Sequence, residues 1–219
     1  MSQETILRLL GETKIVAIVR SPTSAELVRV ARALLEGGIR AIEVTFTVPD
    51  AINVLRDIAR ELGEEVLLGA GTVLDEVTAR SAILAGAQFI VAPNTNLEVI
   101  RTCRRYAKVA IPGAFTPTEI VHAWEAGADI VKVFPAEVGG PSYIRAVRAP
   151  LPHIRLMPTG GVNLQTVGEF LKAGAYCLGV GAQLVEPRAL ADGNFSRITE
   201  LARQYVSLVK QYSDATASL

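Results

Sequence analysis

EAGADIVKVFP, residues 125–135, passes from the end of a helix through a glycine into a short β-branched apolar run. The same phrase returns as LLEGGIRAIEVTF at 34–46, LAGAQFIVAP at 84–93 and KAGAYCLGVG at 172–181. In each, glycine stands where a helix C-terminus commonly turns left-handed. The run that follows is continuously apolar rather than alternating, as expected of a parallel strand covered by helices. Working outward from these phrases gives eight strands, at 14–20, 40–46, 65–70, 88–92, 108–111, 129–134, 154–157 and 176–180. Helices are expected between and after them, near 23–37, 50–62, 74–86, 95–106, 117–126, 140–149, 163–173 and 195–212.

Start signals mark several of these helices: Ser21-Pro22, Pro49-Asp50, Thr116-Pro117 with Glu119, and Asn163. An extra helix over 2–11 is expected to close the floor of the fold, and the tail 213–219 to fray. No linker or low-complexity segment divides the chain, so residues 1–219 read as one domain. The pattern predicts an α/β fold of the (β/α)8 TIM-barrel kind with an extra N-terminal helix. An open doubly wound sheet is the alternative, since strand order is not written in the sequence. The absence of GxGxxG after the first strand argues against a dinucleotide-binding version.

Composition narrows the function. Half of the 219 residues are apolar, enough to fill one large core, and 22 basic residues balance 22 acidic ones. With no basic block, neither a nucleic-acid partner nor an anionic membrane surface is expected. The opening residues lack the apolar stretch of a signal peptide, and no run approaches the ~18 apolar residues of a membrane span. Two distant cysteines, Cys103 and Cys177, make a disulfide framework unexpected and fit a reducing cytoplasm. Two histidines without HxH or HExxH spacing leave the chain poor in metal ligands, so neither metal nor cofactor is expected.

In barrels of this kind chemistry gathers at the C-terminal ends of the strands. Lys132 sits at one such end, inside the apolar run DIVKVFP, with Ile130 and Phe134 on its face of the strand. Desolvation there lowers a lysine pKa, and a neutral amine condenses with a ketone to an iminium, an electron sink for C–C cleavage. The residues alone also admit a lysine paired with a carboxylate or reaching to the rim. Glu43 interrupts a similar run, AIEVTF, and a carboxyl held in an apolar mouth can move the protons such chemistry needs; a structural Lys132–Glu43 ion pair would use the same two residues.

Thr45 and Thr47 share the parity of Glu43. The turns TGGVN at 159–163 and GVGA at 179–182 follow the last two strands, where backbone N–H groups often cradle phosphate; they bring Thr159, Gly160, Gly161, Gly181 and Ala182 forward. Arg20, ending the first strand, can fork onto a carboxylate or phosphate. His122, Trp124, His153 and both cysteines read as structural.

From IVAIVR at 15–20 to GVGAQLV at 179–185 the chain resembles the 2-dehydro-3-deoxy-phosphogluconate (KDPG) aldolase / 4-hydroxy-2-oxoglutarate (KHG) aldolase family. The matching phrases are GGIRAIEVTFTVPDA, LLGAGTVLD, AGAQFIVAPN, IPGAFTPTE, ADIVKVFPAE and MPTGGVN, in family order. The resemblance implies a homotrimeric class I aldolase. Its substrate would be a 2-oxo-acid aldol, cleaved to pyruvate and glyceraldehyde 3-phosphate or glyoxylate. It implies Lys132 as the Schiff-base lysine and Glu43 as general acid/base. Thr72 would lie near the pyruvyl carboxylate, Pro93 and Phe134 would line the pocket, and Thr159, Gly160 and Gly161 would meet the phosphate.

Two positions depart from the pattern. Thr47 stands where several relatives have a carboxylate-binding arginine, which Arg20 is expected to replace. Ala182 stands where a phosphate-touching serine is frequent. The galactonate-derived epimer as substrate, a non-aldolase phosphate-binding barrel and a metal-dependent aldolase are the alternatives, the last disfavoured by the shortage of ligands.

Overall fold

The structure, a computed structural model, describes residues 1–217, with side chains through Tyr212. Helix α1 (Gln3–Thr13) leads into β1 (Ile15–Val19), α2 (Leu27–Glu36), β2 (Ala41–Thr45) and α3 (Ala51–Leu62). Then come β3 (Leu67–Gly71), α4 (Glu76–Leu84), β4 (Phe89–Val91), α5 (Leu97–Arg105), β5 (Val109–Ile111) and β6 (Gly113–Ala114). The chain ends with α6 (Pro117–Glu125), β7 (Val131–Val133), α7 (Gly140–Arg148), β8 (Leu156–Pro158), α8 (Val167–Lys172), β9 (Leu178–Val180), α9 (Pro187–Ala191) and α10 (Phe195–Ala217).

All strand pairs are parallel. They form a six-stranded sheet in the order β5-β4-β3-β2-β1-β9 and a three-stranded sheet in the order β6-β7-β8. The single eight-stranded ring expected from the sequence is thus divided into two ladders. At one junction Pro112, which has no N–H to give to a ladder, separates β5 from β6. At the other, β8 meets β9 through one bridge, Thr159 to Gly179, and through Tyr176, whose N–H donates to the Leu156 carbonyl at 2.8 Å.

Side-chain alternation sorts each strand into two faces. Ala17, Val19, Ile42, Val44, Leu68, Ala70, Val131 and Val133 pack outward into the large cluster shared with the helices. Val16, Ala41, Leu67, Phe89, Val109, Ile130, Met157 and Cys177 point inward, and Ile6 and Leu10 of α1 complete that inner cluster. The extra N-terminal helix therefore plugs the end of the fold where the strands begin, leaving polar chemistry to the opposite end. Burying Ile6 and Leu10 contributes roughly 1.5–3 kcal/mol each, which holds α1 in place.

Local signals explain most boundaries and some differences. Thr116 and Glu119 form a capping box at α6, the side chain of each accepting from the other's backbone N–H. Asn163 instead caps a turn, its Oδ1 accepting from Gln165 and Thr166, so α8 starts only at Val167. Likewise α2 starts at Leu27 rather than near 23. Ser21 Oγ first accepts from Thr23 in a turn, and Glu26 then enters the helix from a left-handed conformation (φ 67°) without a side-chain cap. The short helix α9 was not expected. The last helix continues to Ala217 through the tail expected to fray, and residues 218 and 219 lie outside the described residues.

Candidate active site

Above the inner apolar cluster lie two ionisable side chains, each on the inward parity of its strand. Lys132 in β7 is flanked by Gly113 and Met157 of the neighbouring strands; Glu43 in β2 is flanked by Ile18 and Gly69. Lys132 is 2% exposed and Glu43 1%. The two do not reach ion-pair distance (4.0 Å), and Glu43 Oε2 is buried without a hydrogen-bond partner. An unpartnered buried carboxyl oxygen is costly and suits a group kept ready for a substrate proton or hydroxyl.

Burial shifts both groups toward their neutral forms. Burial pushes the Lys132 ammonium below the ordinary lysine range; Glu43 opposes that shift and Arg20 adds to it. Burial likewise pushes the Glu43 carboxyl above the usual carboxylate range, against Lys132 and Arg20. The Lys132 Nζ lies 5.1 Å from the centroid of the Phe134 ring, a weak cation–π contact when the amine is charged.

Phe134 also borders a cavity of about 400 Å³ at the C-terminal end of the strands. The cavity brings together seven of the residues singled out from the sequence: Arg20, Phe134, Thr159, Gly160, Gly161, Gly181 and Ala182. Thr159 is 5% exposed, and its Oγ1 has no hydrogen-bond partner. Arg20 is exposed and also borders a second, mainly apolar hollow of about 590 Å³ lined by Thr47, Pro22, Pro187 and Leu190.

Thr47 is exposed and not part of the first cavity; its hydroxyl meets that of Thr45 at 2.7 Å, and Thr45 donates to the Val19 carbonyl. Thr72 and Pro93, both half-buried, follow β3 and β4 and do not line it either. Thr72 adopts a left-handed conformation (φ 56°). For a β-branched residue that is strain of order 1–3 kcal/mol, a feature that clusters at functional sites.

Sequence reasoning missed Ile18, Glu137 and Pro187 among the cavity walls. Ile18 was within reach, standing two residues before Arg20 on the same face. Glu137 had no signal beyond its place in FPAE. It matters because a Cβ on Gly161 would come within 2.9 Å of the Glu137 Cβ, and one on Gly160 within 3.0 Å of its carboxylate. Gly160 and Gly161 also hold positive φ, 94° and 71° respectively. Packing against the turn at 136–138 therefore explains this pair as well as anion binding does. Cys103 and Cys177 are buried and free, with their thiols pushed up to about 12 by burial, so neither is a nucleophile. Among the described residues no group of three or more His, Cys, Asp or Glu is placed to hold a metal ion, and no helix is long and apolar enough to cross a membrane.

Comparison with known proteins bears on this arrangement. The family described as KDPG and KHG aldolase matches residues 6–201. The 2-dehydro-3-deoxy-phosphogluconate aldolase of Treponema pallidum is 37% identical over 94% of this chain and 98% of its own. The 2-dehydro-3-deoxy-6-phosphogalactonate aldolase of Escherichia coli K12 is 33% identical over 92% and 95%. Among solved structures, the KDPG aldolase of Legionella pneumophila, with pyruvate captured as a covalent carbinolamine intermediate, superposes with a TM-score of 0.82. It is 28% identical and covers 93% of this chain and 97% of its own. A match that spans nearly the whole fold, on both sequence and structure, settles the assignment: this chain belongs to the KDPG and KHG aldolase family.

Proposed function

We propose that the protein is a class I aldolase in which Lys132 forms the Schiff base and Glu43 moves the protons. The observation that carries this reading is the near-complete burial of both groups on the inner face, with the Lys132 amine 5.1 Å from the ring centroid of Phe134, a wall residue of the cavity that the two groups do not themselves line. The neutral Lys132 amine adds to the C2 ketone of a 2-oxo-acid aldol, giving a carbinolamine; the Glu43 carboxyl gives a proton to its hydroxyl, which leaves as water, and the iminium forms. The Glu43 carboxylate left by that transfer takes the proton of the C4 hydroxyl. The C3–C4 bond breaks, its electron pair passes into the iminium as an enamine, and the aldehyde leaves. Protonation at C3 and hydrolysis return pyruvate and the free amine.

For this chemistry the two ladders act as one (β/α)8 barrel. The bridge from Thr159 to Gly179 and the continuous chain through Pro112 support that reading. Thr72, Pro93 and Phe134 are assigned to the pyruvyl end, and the Thr159–Gly161 and Gly181–Ala182 turns to the distal end. A homotrimer in a reducing cytoplasm goes with the assignment, and light scattering checks the trimer.

The substrates are those in the relatives' names: 2-dehydro-3-deoxy-6-phosphogluconate, its galactonate epimer and 4-hydroxy-2-oxoglutarate. Pyruvate release from each, with and without a chelator, tests the reading. Chelator-resistant cleavage of at least one is expected; failure on all three contradicts it.

Two variants probe the ends of the cavity. Arg20→Ala should raise KM roughly tenfold or more, the loss of a charge-assisted hydrogen bond. It should also raise the Lys132 pKa, because the guanidinium now lowers it, so the acid limb of the pH–rate profile moves to higher pH. An unchanged specificity constant and profile would remove Arg20 from the site. Ala182→Ser should tighten a phosphorylated substrate roughly two- to tenfold, one neutral hydrogen bond, and leave 4-hydroxy-2-oxoglutarate unaffected. Equal effects on both would place residue 182 away from the phosphate.

A further inference from the structure

The inner face of β3 carries Leu67, Gly69 and Gly71. Only the first fills its own space. A Cβ on Gly69 would strike the Phe89 ring of β4, at 2.1 Å. A Cβ on Gly71 would fall 1.8 Å from Glu43 Oε1, 2.5 Å from its Cδ and 2.7 Å from its Cγ. The carboxyl of Glu43 thus rests on bare backbone of the next strand. Its other oxygen has no hydrogen-bond partner, so no polar contact at that atom fixes its direction. The backbone of Gly71 is not left-handed, so an alanine there meets a spatial conflict and no conformational one.

We infer that Gly71 is a positioning residue for the aldol reaction: the missing side chain is the seat that lets Glu43 reach its working place beside Lys132. The inference rests on the acid–base reading of Glu43 given above. A methyl group at residue 71 displaces the carboxyl by about an ångström or more, and misplacement on that scale costs about 10²-fold in rate. The displaced group still leaves the cavity and its distal turns intact, so the loss falls on kcat, with KM within a few-fold.

The test is a double-mutant cycle of Gly71→Ala with Glu43→Ala, which removes the Cγ, Cδ and Oε1 atoms that the new methyl group would strike. Expected are a fall of about 10²-fold in kcat for Gly71→Ala alone and little further loss when it is added to Glu43→Ala. Multiplying losses would show that Gly71 acts through something other than Glu43 and would overturn the proposal. If Gly71→Ala does not fold, the cycle is read on folding: Glu43→Ala should restore a folded protein, and a double variant that still fails overturns the seat. Glu43→Gln separates the two levels of the argument. Full activity in Glu43→Gln removes the acid–base reading and the seat with it, whereas an inactive Glu43→Gln beside a fully active Gly71→Ala removes the seat alone.

Discussion

Lys132→Ala is expected to lower aldol cleavage by at least about 10⁴-fold while the protein stays folded, because the bond-forming nitrogen itself is gone. Lys132→Arg should fail as completely. A guanidinium stays protonated at any working pH and cannot condense with a ketone, although it keeps the charge. The two variants together distinguish covalent chemistry from a structural role. A lysine that merely supplied positive charge to the cavity would be replaced in large part by arginine. Rates of pyruvate release and circular dichroism on both variants decide the matter; substantial cleavage by either would contradict the Schiff-base role of Lys132.

Glu43→Gln should lower kcat by about 10²–10⁴-fold, the usual contribution of a positioned acid–base group. It carries a second signature with a definite sign. The Glu43 charge raises the Lys132 pKa against the larger effect of burial. Removing that charge leaves burial less opposed, so the Lys132 pKa falls further. The reactive form of the lysine is neutral and is lost as pH drops through that pKa. The acid limb of the residual pH–rate profile should therefore move to lower pH, opposite to the shift expected for Arg20→Ala. Movement in the same direction for both variants would contradict the electrostatic arrangement of the three groups.

The central pair was legible in the sequence for a simple reason. A charged residue inside a β-branched apolar run, on the parity that faces inward, has few harmless places to go, and both Lys132 and Glu43 stand that way. The repeated helix–glycine–strand phrase likewise gave the alternation of helices and strands along the chain and the parallel pairing. What could not be read were features made by neighbours in space. Pro112 splitting the ladder depends on which groups face it across strands. The empty space over Gly71 depends on a side chain 28 positions earlier, and the need for Gly161 on Glu137. Thr72 taking a left-handed conformation runs against its own preference and had no local signal. The late start of α2 has a similar cause, since a hydrogen-bonded turn at Ser21 competed with the helix there.

The departures at the cavity rim bear on substrate choice. Arg20 is the positive side chain on its walls, and Glu137 faces the same space with a carboxylate. In the proposed assignment of the distal end, with alanine at 182, backbone N–H groups and the unpartnered Thr159 hydroxyl would stand in for a serine donor.

Reduction of a trapped adduct tests the covalent step without assuming any one aldol substrate. The protein is incubated with pyruvate and borohydride, and the labelled peptide is located by mass spectrometry. One reduced pyruvyl group per chain, on Lys132 and absent from Lys132→Ala, is the expected result. An unlabelled Lys132, under conditions that fully label a known lysine-dependent aldolase, would contradict it.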